Sequence, residues 1–246
     1  MRRLLLTLAF DGSRYHGWQV QQNALAVQQV VQDAVEKVFG SRLGITGCSR
    51  TDSGVHAREY CCHFDTESGI PCGRAVLALN TLLPPDIAVL ACEEKPMDFH
   101  ARYSCTAKEY VYQIYNSRVR DPFLHGYALQ YFRPLDETRM RETARLFLGE
   151  HDFSAFCSAG DAVRIHVRTI YSFDVAREGK LVTLTVRGNG FLYNMVRILA
   201  GTLLFVEQGR IRQADIPAIL ASKDRNRAGK TAPPYGLYLN RVFYDS

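Results

Sequence analysis

Apolar residues in this chain recur at two spacings that take turns along its length, and no apolar run reaches the ~18 residues that would cross a bilayer. That pattern restricts the fold to strands and helices mixed around cores the chain closes for itself. Residues 3–10 form a short, turn-bounded apolar run and read as a buried strand. Leu25, Val27, Val30, Val31, Ala34, Val35 and Val38 repeat at helical spacing over 25–39, and Gly40 ends that helix. Tyr60 to Phe64 reads as a strand, 72–82 as a helix ahead of Pro84-Pro85, and 86–93 and 106–116 as strands. In 106–116 the alternation puts Tyr110, Tyr112 and Ile114 on one side and Val111, Gln113 and Tyr115 on the other.

The second half repeats the mixture. Asp136 is placed to cap a helix over 137–148. Strands near 165–176 and 180–188 flank a turn at Glu178-Gly179. Gly188-Asn189-Gly190 leads into an apolar helix over 191–206, a short helix falls near 214–221, and Tyr238 to Tyr244 alternates as a last strand. Ser222 to Pro234, rich in Lys, Arg, Gly and Pro, reads as the loosest stretch. Strands and helices in βαβ-like order imply an α+β fold of two related domains, 1–103 and 104–246, with mixed or antiparallel sheets flanked by helices around a central basic cleft. A length of 246 residues suffices for two such cores. The opening apolar stretch is short and runs into Asp11-Gly12-Ser13-Arg14 instead of a cleavage site, so it reads as the first strand and not as a leader.

Charge is unevenly shared. Residues 1–103 hold 10 Lys/Arg against 11 Asp/Glu, and residues 104–246 hold 20 against 14, so the halves carry −1 and +6 of the net +5. Clusters at Arg118/Arg120, Arg139/Arg141/Arg145, Arg164/Arg168, Arg210/Arg212 and Lys223/Arg225/Arg227/Lys230 point to a polyanion partner, or to ordinary solvated faces. The seven cysteines are odd in number and include no C-x-x-C, which suits idle thiols in a reducing cytosol better than a disulfide or zinc framework. The seven histidines make no metal-binding pair, and no phosphate or dinucleotide loop is present. Neither a metal nor a cofactor is expected.

Three segments could carry chemistry. Ser49-Arg50-Thr51-Asp52-Ser53-Gly54-Val55-His56-Ala57 packs polar side chains around Gly54 between two strands. A carboxylate beside an arginine suits a nucleophile that must stay ionised; the same residues also suit a turn cap with a surface ion pair. Asp52 and His56 could instead form an acid–base pair, although a loop histidine is usually exposed. Lys108 to Tyr115 offers three tyrosines that could stack on bases or simply form strand. In Gly188 to Leu203, Arg197 sits amid an apolar helix and calls for a partner, for which a carboxylate from elsewhere is the natural choice.

Taken in order, four motifs resemble the bacterial tRNA pseudouridine synthase A family over nearly the whole chain. They are Phe10-Asp11-Gly12-Ser13-Arg14-Tyr15-His16-Gly17-Trp18-Gln19-Val20-Gln21, Arg50 to Ala57, Phe191 to Arg197, and Thr231-Ala232-Pro233-Pro234-Tyr235-Gly236-Leu237-Tyr238-Leu239. Ser53 stands where Ala or Ser is usual in that family, and Ser49 where Gly is common. The resemblance implies that Asp52 is the catalytic aspartate, Tyr110 the tyrosine beside the flipped uridine, and Arg197 the active-site arginine paired with the aspartate. It further implies that Arg50 enters the space the base leaves, and His56 is assigned with it to substrate binding. It implies a cytoplasmic, cofactor-free homodimer that isomerises uridines 38, 39 and 40 of the tRNA anticodon arm. A non-catalytic RNA-binding protein of the same fold is the alternative from another class.

Overall fold

A computed structural model describes residues 1–160 and 163–245. In chain order the elements are β1 (Arg2–Phe10), α1 (Val27–Phe39), β2 (Thr46–Gly47), β3 (His56–Thr66), α2 (Cys72–Leu82), β4 (Ile87–Lys95), β5 (Cys105–Asn116), β6 (Leu129–Tyr131), α3 (Glu137–Arg145), β7 (Gly149–Asp152), β8 (Val167–Glu178), β9 (Leu181–Gly188), α4 (Met195–Glu207), α5 (Ile216–Ser222) and β10 (Leu237–Tyr244). Two compact units form, one from Met1–Thr106 with the chain from Tyr238 onward, the other from Ala107–Leu237. The last strand, which lies in the second half of the sequence, therefore belongs almost entirely to the first unit.

In the first unit the strands lie in the order β4-β1-β3-β10, with β2 paired to β3. β1 runs antiparallel to both β3 and β4, while β10 joins β3 in parallel. The sheet is thus mixed, as expected of an α+β fold, but the βαβ-like order does not produce parallel neighbours at β1 and β3. After α1 the chain turns back through β2 and a loop, so β3 enters against β1. Leu4, Leu6 and Leu8 of β1 are wholly buried, each contributing about 1.5–3 kcal/mol by leaving water. α1 lays Val27, Val31, Ala34 and Val35 on the core, and Gly40, left-handed at φ 79, ends it by donating its N–H to Glu36 O.

In the second unit the order is β5-β9-β8-β7, all antiparallel, with β6 parallel to β5. β8 and β9 are joined by the tight turn Gly179-Lys180, Gly179 taking φ 58. The buried face is Tyr110, Tyr112 and Ile114 opposite Val186, Leu184 and Val182. α3 starts where the Asp136 carboxylate accepts from Thr138 and Arg139 N–H, and α4 buries ten of its thirteen residues.

The expected helix over 191–206 begins later, at Met195, because Asn194 takes φ 61 and interrupts it. The stretch from Ser222 to Pro234 is likewise not loose. Part of it lies so close across α4 that a Cβ on Gly201 would stand 1.7 Å from Lys230 O, and one on Gly229 would stand 2.5 Å from the backbone of Gly201. Gly229 N–H donates to Thr202 Oγ1, which donates in turn to Ile198 O. Gly201→Ala is expected to cost about 3 kcal/mol, since backbone must move to admit the methyl group. Gly44→Ala, where nothing lies within 4 Å of the new atom, should stay within about 0.5 kcal/mol of wild type. Urea unfolding of the two variants checks the contrast, and equal stabilities would contradict it.

Candidate active site

The loop between β2 and β3 is held at both ends by the chain's opening motif and by β3. On its entry side Trp18 and Tyr60 stack at 4.1 Å, both buried. They fill the space over Gly47, where a Cβ would meet Tyr60 Oη at 2.1 Å and Trp18 Nε1 at 2.6 Å. Tyr60 Oη then donates to Ser49 O at 2.5 Å, and Cys48 N–H donates to Cys61 O.

On the exit side Val55 N–H closes a four-residue turn on Asp52 O at 3.2 Å, with Gly54 at φ 77 in the third position, where a side chain would be strained. Gly54 N–H and Ser53 Oγ both donate to Tyr15 O, at 3.1 and 3.4 Å. Below them the opening motif comes within contact of the loop's own backbone. A Cβ at Gly12 would sit 2.0 Å from Val55 O, and one at Gly17 would sit 2.2 Å from Thr51 O. Tyr15 is anchored in turn by its hydroxyl, which donates to Asp86 Oδ1 at 2.7 Å.

This frame sets the three candidate residues of the first unit. Asp52 is half-buried at the head of the turn, and Arg50 is exposed. Among the described residues Arg50 makes no ion pair, so the surface Arg50–Asp52 pair that a simple turn cap would use is not formed. His56 is not an exposed loop residue. It opens β3, is 2% exposed, and stacks on Tyr238 at 4.8 Å. Gly12 N–H donates to its Nδ1 at 3.1 Å. Asp11 Oδ1, which accepts from Ser13 N–H and Oγ, also lies 3.0 Å from Nδ1.

The second unit holds Tyr110 and Arg197. Tyr110 is 7% exposed and meets the ring of Phe191 edge-on at 5.1 Å and 81°. The three tyrosines of this strand are placed differently. Tyr112 is fully buried and donates to Pro233 O at 2.9 Å, and burial raises its phenol well above the ordinary value, so it is a neutral strut of the core. Tyr115 leaves β5 on the opposite face. Arg197, half-buried, donates from Nε to Ala232 O at 2.7 Å and from Nη1 to Asn194 Oδ1 at 2.6 Å. Ala232 N–H returns a bond to Arg197 O, and Asn194 Nδ2 donates to Ser158 Oγ. Two of the five guanidinium donors are thus used to fix its plane.

Asn194, Ala232, Tyr15 and the glycines at 12, 17 and 47 were not singled out as site residues. Each stands in or beside a motif, but what it does is visible only from backbone distances. No group of three or more His, Cys, Asp or Glu that could hold a metal occurs among the described residues, and none of their helices is long and apolar enough to cross a membrane.

Loss of the Arg197 bonds should be felt in stability. Arg197→Ala is expected to lower it by about 2 kcal/mol, as charge-assisted bonds to Ala232 and Asn194 disappear, which is about 4–8 °C in a chain of this size. An unchanged melting temperature would show that these bonds hold nothing.

Residues 7–104 and 143–245 match the family model described as tRNA pseudouridine synthase. A curated relative named tRNA pseudouridine synthase A from Ruminiclostridium cellulolyticum is 48% identical over 245 residues, covering 99% of this chain and 100% of the relative. Proteins of the same name from Caldicellulosiruptor saccharolyticus and Brevibacillus brevis are each 46% identical over 244 residues with the same coverage. Among solved structures, the archaeal box H/ACA sRNP Nop10-Cbf5 complex aligns at a TM-score of 0.39 and 14% identity, over 82% of this chain and 42% of that one. A likeness that distant carries no argument.

Proposed function

The chain belongs to the tRNA pseudouridine synthase family and is an isomerase acting on tRNA, and we propose that it converts uridines 38, 39 and 40 of the anticodon arm with Asp52 as nucleophile. The observation that carries this reading is the pinned loop, which holds a half-buried carboxylate between two anchored backbone segments. A nucleophile placed by backbone contacts needs little reorganisation to meet its target.

The reaction breaks the bond from ribose C1′ to uracil N1, turns the ring, and forms a bond from C1′ to C5; the C5 hydrogen leaves as a proton and N1 takes one up, so the product is an isomer of the substrate. A stacked uridine is out of reach, so the base is flipped from its helix. Asp52 attacks C1′ or removes a ribose proton. Tyr110, backed edge-on by Phe191, lies against the flipped uracil, and its hydroxyl is the group suited to moving a proton. Arg197, its guanidinium plane fixed by Ala232 and Asn194, is the cation assigned to the charge that develops in the reaction. Arg50, exposed and without an ion pair among the described residues, stacks in the gap the base leaves. His56, buried against Tyr238 and bonded to Gly12, serves this site by positioning the loop. The steps so written call on no metal or cofactor. We place the enzyme in the cytoplasm as a homodimer.

Tritium release from tRNA labelled at uracil C5 tests the chemistry. Wild type should release label and Asp52→Asn should release none while its tRNA Kd stays within about threefold, because the substitution removes a nucleophile and leaves the surface intact. Turnover by the variant would remove Asp52 from its role. Binding without release by wild type would instead favour the RNA-binding alternative. Light scattering of active protein should give twice the chain mass, and a monomer would contradict the dimer.

A further inference from the structure

A second recess lies wholly inside the second unit. It has a volume of about 670 Å³ and is walled by Tyr115, Arg120, Asp121, His125, Gln130 and Tyr235, among others. That size falls within the roughly 300–1,000 Å³ of pockets that hold small ligands. β5 and β6 pair in parallel with Tyr115 beside Gln130, so those two side chains leave the sheet on one face. The rim is a loop closed on itself. Asp121 Oδ1 accepts from Phe123 N–H, Leu124 N–H returns to Asp121 O, Tyr127 and Ala128 N–H both reach Leu124 O, and Gly126 turns the chain at φ 83.

The wall chemistry is specific in combination. Arg139, Arg177, Arg212 and Lys223 each pair with a carboxylate. Arg120 is exposed and, among the described residues, has neither an ion pair nor a side-chain hydrogen bond. An unpaired guanidinium at a pocket mouth suits a phosphate. Two half-buried phenol rings suit the face of a base, the Gln130 amide suits a base edge, and the Asp121 carboxylate suits a ribose hydroxyl. The recess is not the reaction site. Tyr115 lies five residues beyond Tyr110 on β5, about 17 Å at strand rise, and points to the other face. Its rim also falls between the two stretches that the family model matches.

We infer that this pocket binds a ribonucleotide of the tRNA substrate other than the uridine being isomerised. The inference rests on tRNA being the substrate, and it adds a holding point to the chemistry proposed above.

The test is a titration of unmodified tRNA against wild type, Arg120→Ala, Gln130→Ala and Arg210→Ala over a range of KCl, with tritium release measured at saturating tRNA. Arg120→Ala is expected to weaken binding about tenfold, as one charge-assisted contact is lost, and to flatten the plot of log affinity against log salt by about one. Gln130→Ala should weaken binding severalfold with the slope unchanged. Both should turn over at the wild-type rate once saturated. Arg210→Ala, an arginine of the same unit that lies over Phe205 and outside the pocket, should behave as wild type. Unchanged affinity and slope in Arg120→Ala overturn the inference, and so does an equal loss in Arg210→Ala, which would reveal only the general field of a basic unit. Absence of tritium release by wild type would strike the proposed function instead, and the binding comparison would still decide the pocket.

Discussion

The approach of Gly12 and Gly17 to the carbonyls of Val55 and Thr51 is the constraint on which the first unit's chemistry depends. Neither contact tolerates a β-carbon, so the opening motif and the Asp52 loop form one layer of backbone with no side chains between them. That layer also supplies the rest of the frame. Tyr15, between the two glycines, gives its carbonyl to the turn and its hydroxyl to Asp86, while Gly12 gives its N–H to His56. Backbone against backbone is a stiff support, because it has no rotamers to lose or change. A carboxylate proposed as the nucleophile gains from such a base.

The second unit uses the same device under Arg197. Gly201 and Gly229 let the segment leading to Ala232 lie directly on α4, and Ala232 then bonds to Arg197 through both its N–H and its C=O. Asn194 closes the other side. Its left-handed conformation delays the helix and presents its amide oxygen to the guanidinium. A long, flexible side chain is thereby held by two carbonyl-type oxygens, which orient it without cancelling its charge. The interruption that shortens α4 relative to its apolar pattern is the same feature that fixes the arginine.

Periodicity revealed the long elements well. The helices at α1 and α2, the β8–β9 hairpin and the last strand fall within a few residues of where apolar spacing and turn residues place them. The short strands β2, β6 and β7 were missed because two to four residues are too few to show a period. The antiparallel course of β3 against β1 was not legible either, since order along the chain does not say which way a returning strand enters. At the site, Asp52 and Arg197 stood out by residue type in an unusual setting, and the four motifs identified the family. The supports did not stand out. Composition marks 222–234 as loose because Gly, Pro, Lys and Arg are loop residues, yet its one glycine, Gly229, serves close packing. His56 looked exposed because polar residues surround it in sequence, whereas in space it faces Gly12 and Tyr238.

Counting charge overstates what the second half offers a polyanion. Of the basic clusters seen in the sequence, Arg139, Arg212 and Lys223 are engaged with Glu207, Asp215 and Asp152, and Arg141 donates twice to Val175 O. Glu207 is only 1% exposed, so its arginine holds α3 to α4 before it can serve a phosphate. The tyrosines divide in the same way, with Tyr112 part of the core and Tyr115 on the far face from Tyr110. An RNA surface is therefore defined here by the cations and rings the fold has not already engaged. Arg50 and Arg120 meet that condition, one beside the proposed nucleophile and the other at the mouth of a separate pocket. Residues engaged with their own fold set the geometry, and those left over are available to meet the substrate.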